Sequence, residues 1–93
     1  MYTKNEHILE YPNYTSIQDF KDSLIYGKEI VILWKGIYFT IEYDEKTFSI
    51  SEAYKPETER CFKTIDELLK FKLNSGDLLM DIITQAEVEW RNI

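Results

Sequence analysis

Between Glu29 and Tyr54 apolar residues recur at every second position through three short consecutive segments, and two turns bring them to the same side. If Lys35-Gly36 forms a two-residue hairpin loop, Trp34 faces Ile37, Ile32 faces Phe39 and Ile30 faces Ile41. A second turn near Glu45-Lys46 sets Tyr43 against Phe48 and Ile41 against Ile50. Side chains alternate strictly along a strand, so a slip of one residue would scatter this apolar set over both faces. The pattern predicts a three-stranded antiparallel meander with one greasy side, which helices must cover.

Helical signals flank the meander. Ser16 suits an N-cap, with Asp19 three residues on, and Ile17, Phe20 and Leu24 follow at helical spacing, so a helix is expected over 16–26. Gly27 reads as its left-handed C-terminal cap. Lys55 to Lys63, opened by Pro56, reads as a polar connection. Thr64-Ile65-Asp66-Glu67 is a capping box starting a second helix with Ile65, Leu68 and Leu69, which Asn74-Ser75-Gly76 ends. A third helix starts near Asp77 and carries Leu79, Ile82, Ile83 and Ala86. Residues 85–91 fit two patterns. Ile82, Ala86 and Trp90 extend the helix, whereas Ala86, Val88 and Trp90 alternating with Glu87 and Glu89 read as a strand. The helical reading is preferred. The expected fold is therefore α+β, in the order α-β-β-β-α-α, with helices on one face and a C-terminal strand as the alternative.

The chain has 93 residues, which suits one domain (1–93, with 1–13 an irregular lead-in) around one core. Its 44% hydrophobic and 30% charged residues are ordinary for a folded domain, so wholesale disorder is not expected. The net charge of −6, without any basic run, disfavours nucleic acid or an anionic membrane surface as partner. The order α-β-β-β-α echoes double-stranded RNA-binding domains, and Lys35-Gly36-x-x-Phe39 faintly echoes an RNA-recognition motif. Both echoes fail on chemistry. The second capping box brings Asp66 and Glu67 where lysines should meet phosphate, and Phe39 falls on the core side.

One cysteine, Cys61, excludes an intramolecular disulfide. His7 and Cys61 cannot between them supply the four ligands of a zinc site, and Cys61 reads as a small half-buried thiol. No phosphate-binding or nucleophile-elbow motif occurs, so no cofactor, metal or catalytic set is implied. The N-terminus lacks the apolar core of a signal peptide, and Ile30 to Trp34 is too short to span a bilayer. The cytoplasm is the expected compartment, and richness in Ile, Lys and Tyr suggests an AT-rich bacterial genome.

Two places remain where a function could sit. Val31, Leu33 and Tyr38 project from the far side of the sheet, with Thr40, Glu42 and Ala53 around them. They form a partner surface if left open, or are covered by Ile8, Leu9 and Tyr11 of the lead-in or by a helix. Glu52 falls on the apolar side opposite Phe39. It is either a buried acid beside a small-ligand or enzymatic site, or a residue at a fraying strand end that meets water, and the second is preferred. The acidic pairs Asp44-Glu45, Asp66-Glu67 and Glu87/Glu89 read as solvated faces that could also meet a basic partner such as a nuclease toxin.

At Gly27-Lys28-Glu29-Ile30, Trp34-Lys35-Gly36-Ile37-Tyr38-Phe39-Thr40-Ile41, Asp66-Glu67-Leu68-Leu69 and Gly76 to Glu89, the chain resembles a loose group of small uncharacterised bacterial α+β proteins. The resemblance implies a fold and no activity. The expectation from the residues is a non-enzymatic domain that binds another protein, with an immunity or antitoxin-like role among the options. Alternatives are a small-ligand or enzymatic site near Glu52, and a homodimer.

Overall fold

The computed structural model describes residues 11–92. Most of the lead-in, including His7, Ile8 and Leu9, lies outside the described residues. The elements in chain order are α1 (Ile17–Gly27), β1 (Glu29–Trp34), β2 (Ile37–Tyr43), β3 (Phe48–Glu52), β4 (Lys55–Phe62), α2 (Ile65–Leu69), α3 (Leu79–Ile82) and β5 (Glu87–Arg91). The strands form one antiparallel sheet in the order β4-β3-β2-β1-β5. The described chain is thus α+β with five strands, two more than the expected meander.

The meander has the register that alternation predicts. Ile30 pairs with Ile41, Ile32 with Phe39 and Trp34 with Ile37. Tyr43 pairs with Phe48 and Ile41 with Ile50. Both loop residues of the first hairpin have positive φ, 51° at Lys35 and 82° at Gly36, the geometry that matches the twist of two-residue hairpins. At the second turn Asp44 Oδ1 accepts from the backbone N–H of Lys46 (2.9 Å) and Thr47 (2.8 Å). Those bonds favour the charged carboxylate and hold its pKa below the usual range.

The apolar side is dry. Ile30, Ile32, Ile41 and Ile50 are buried with Phe20 and Leu24 of α1, Leu68 and Leu69 of α2, Leu79 and Ile82 of α3, and Val88 of β5. α1 packs on β1 and β2, and α2 on β3 and β4. All three helices therefore share one face. The N-caps of α1 and α2 are as the sequence indicates: Asp19 N donates to Ser16 Oγ at 3.0 Å, and Glu67 N to Thr64 Oγ1 at 3.1 Å.

Three readings are corrected. The polar connection 55–63 is mostly strand β4. It was hidden because an edge strand needs only one paired side, tolerates Pro56 and carries charge against unwanted pairing. Its ladder is also interrupted: Glu52 N donates to Thr58 Oγ1 (2.8 Å), and that hydroxyl donates to Lys55 O (2.6 Å). Residues 87–91 are strand, not helix; α3 ends after one turn and β5 completes the sheet against β1. Gly27 is the last residue of α1 and is not the left-handed one, which is Lys28 at φ 69°. Gly27 is small because the chain after β5 crosses it. A Cβ there would lie 2.8 Å from Asn92 Cβ, and Asn92 Nδ2 donates to Gly27 O at 2.6 Å.

Candidate functional site: the open sheet face and the Glu52 cleft

With the helices on one side, the other face of the sheet is uncovered among the described residues. Val31, Leu33, Tyr38, Thr40 and Ala53 project from it, as alternation requires. Tyr11 does not cover them, because it packs against the core cluster on the other side.

Two aromatic residues join this surface that sequence reasoning missed. Simple alternation would put Trp90 on the same side as Val88. A bulge at Glu89 shifts the register between Val31 and Ile32, so Val88 pairs with Ile32 on the core side and Trp90 with Val31 on the open side. Trp90 is 38% exposed and Tyr38 47% exposed. The second residue is Tyr54, in the tight turn from β3 to β4, fully exposed at 102% and held at φ 65°. A bulky residue in the left-handed region is strained by roughly 1–2 kcal/mol, and no sequence pattern announces it. Val31, Tyr38, Thr40, Ala53 and Tyr54 line a shallow groove of about 350 Å³.

The rest of this face is acidic. Glu29 pairs with Glu42, and Glu42, Asp44 and Glu59 line a second hollow with Thr47, Ser49 and Cys61. Partial desolvation on the sheet, then repulsion from Glu29, Glu59 and Asp44, pushes the Glu42 carboxyl above its ordinary value. At the β5 edge, desolvation and the neighbouring Glu87 do the same to Glu89. Cys61 is exposed rather than half-buried. Among the described residues no group of three or more His, Cys, Asp or Glu side chains could hold a metal ion, and no helix is long and apolar enough to cross a membrane.

Glu52 lies on the core side opposite Phe39, as the register predicts. It does not fray into water, since its side chain is only 13% exposed. Its Oε2 accepts from Asn74 Nδ2 at 3.2 Å, and its Oε1 lies 3.5 Å from Lys55 Nζ. It borders a cleft of about 310 Å³ between the ends of β2 and β3 and the 71–74 segment, where Phe71, Lys72, Leu73 and Asn74 form the opposite wall. That wall is fixed by backbone bonds: Leu79 N donates to Phe71 O at 2.9 Å, and Leu73 N to Asp77 O at 2.8 Å. Gly76, at φ 93°, closes the turn. Asp77 also accepts from Ser75 Oγ (2.6 Å) and Trp34 Nε1 (3.2 Å), with Lys35 Nζ 3.2 Å away. Those contacts, the Ser75 bond foremost, hold its carboxyl below the usual range.

The structure thus separates the two places singled out from sequence, one on each side of the sheet. Comparison with protein families, characterised proteins and solved structures finds no match for this chain.

Proposed function

We propose that this domain is a non-enzymatic protein-binding module that docks a basic partner protein on its open sheet face. The observation that carries the reading is Tyr54. The β3–β4 turn needs a left-handed residue at this point, but Gly or Asn would meet that need with less strain. A fully exposed aromatic ring there instead, on the rim of an apolar groove, is the kind of strained choice that collects at binding sites. Tyr38 and Trp90 supply further rigid aromatic area of the kind that dominates interface energetics.

Charge decides between partner types. The apolar centre is bordered by Glu29, Glu42 and Glu59 on one side and Glu87 and Glu89 on the other. A second copy would bring the same acids and the same net charge of −6, whereas a basic protein would be steered in by them. Pairing of two copies through sheet edges is opposed as well. β4 carries Pro56, Glu57 and Glu59, and β5 carries Glu87, Glu89 and Arg91. Neutralising a basic toxin, as an immunity protein does, is the role of this class that best suits an acidic docking face.

The test is affinity capture from the source lysate with the wild type and with Leu33→Glu, which places a charge in the patch without touching the core. The expected result is a basic protein bound by the wild type, lost with Leu33→Glu, and bound more slowly as salt rises. Capture that Leu33→Glu leaves intact, or a wild type that binds nothing, would overturn the reading.

A further inference from the structure

We propose that the Glu52 cleft, on the opposite side of the sheet from the docking face, binds a small zwitterion of the amino-acid class with an apolar side chain. Its walls divide by chemistry. Phe39, Ile50, Phe71 and Leu73 offer hydrocarbon, and a volume of about 310 Å³ suits a compact ligand at the small end of the pocket range.

The polar part is a carboxylate where the sheet otherwise buries apolar groups. Burial of a charge is costly unless it is paired, and both partners of Glu52 are surface groups: the exposed Lys55, 3.5 Å away, and the exposed Asn74. A carboxylate has about four lone-pair directions, so two remain for a ligand ammonium. Lys72 and Arg60 border the same cleft, and Arg60 uses Nη1 on the Thr58 and Glu59 carbonyls, which leaves other N–H donors. Two acids, Glu52 and Glu57, thus share one space with the bases Lys72 and Arg60, with Lys55 beside Glu52. A lone cation finds partners only in the acids and meets repulsion from the bases, and a lone anion the reverse. A molecule carrying both charges beside a hydrocarbon group satisfies all the walls.

The experiment is an amide NMR titration of the chain with L-phenylalanine, 2-phenylethylamine and 3-phenylpropionate, which share the ring and differ in charge. Phenylalanine is expected to shift Phe39, Glu52, Phe71 and Asn74 saturably, with a dissociation constant on the order of 1 mM for a ligand of this size. Each singly charged analogue should bind roughly tenfold more weakly, the worth of one charge-assisted hydrogen bond. Glu52→Gln should weaken phenylalanine and phenylethylamine by about the same factor and spare 3-phenylpropionate. The exposed Lys72→Ala should weaken phenylalanine and spare phenylethylamine, and it carries the test should Glu52→Gln fail to fold. The proposal is overturned if phenylalanine gives no saturable shift, if either analogue matches it, or if the folded variants bind it as the wild type does. Leu33→Glu should leave this titration unchanged, which separates its outcome from that of the docking reading.

Discussion

The two faces of this sheet alternate residue by residue along the same strands, yet they obey different rules. On one face Ile30, Ile32 and Ile41 are fully buried under the helices. One position away, Val31, Leu33 and Tyr38 are only partly covered, and Thr40 and Glu42 stand beside them. The buried face is specified by packing, since every side chain there must fit its neighbours. The open face is free of that demand, and its composition, aromatic in the middle and acidic around, records another constraint. On the proposed docking reading, a residue's value to the fold and its value to a partner are separated by a single step along the strand.

The contrast is broken most directly by parallel truncations. Ile41→Ala should cost about 3 kcal/mol of unfolding free energy, whereas Val31→Ala should cost less than about 1 kcal/mol; urea denaturation of both variants measures the difference. Equal costs would mean that the open face is packed after all. Tyr54→Gly gives a smaller effect of the opposite sign. Removing the strain at φ 65° should raise stability by about 0.5 kcal/mol, after the added freedom of glycine in the unfolded chain, while partner capture falls. A destabilised Tyr54→Gly would show that the ring serves the fold.

The smallest effect tests the acidic rim. The folded Glu42 carboxyl has a raised pKa, so the folded state holds its proton more tightly than the unfolded chain. Its contribution is therefore lost as pH rises from the ordinary value of about 4.5 through the raised folded value. Glu42→Gln should gain a few tenths of a kcal/mol at neutral pH in thermal melts; the share due to Glu29, Glu59 and Asp44 should shrink with added salt, and the larger share due to desolvation should remain. A gain unaffected by salt would point to desolvation rather than to Glu29, Glu59 and Asp44.

What could be read from the sequence followed from periodicity and short-range chemistry. The meander register was readable because Lys35-Gly36 and the apolar alternation agree, and the caps at Ser16 and Thr64 because their partners lie three residues away. The side of Glu52 followed from the same register. What escaped reading depends on long-range packing. β4 reads as loop because an edge strand full of charge has no apolar signature. Trp90 reads as core until the bulge at Glu89 turns it over. The small size of Gly27 answers to Asn92, a neighbour brought back by the whole intervening fold. Likewise Phe71, Lys72 and Asn74 join Glu52 only once the 71–74 segment has folded back over the sheet.

The pairing of β1 with β5 has a consequence for biosynthesis. Residues 29–34 leave the ribosome long before residues 87–91, and at typical elongation rates the interval is on the order of seconds. Throughout it, the greasiest strand of the protein has one vacant hydrogen-bonding rim. A nascent chain arrested after α3 would offer that rim to its neighbours on a polysome, which makes the codons of residues 87–91 a safeguard against clumping.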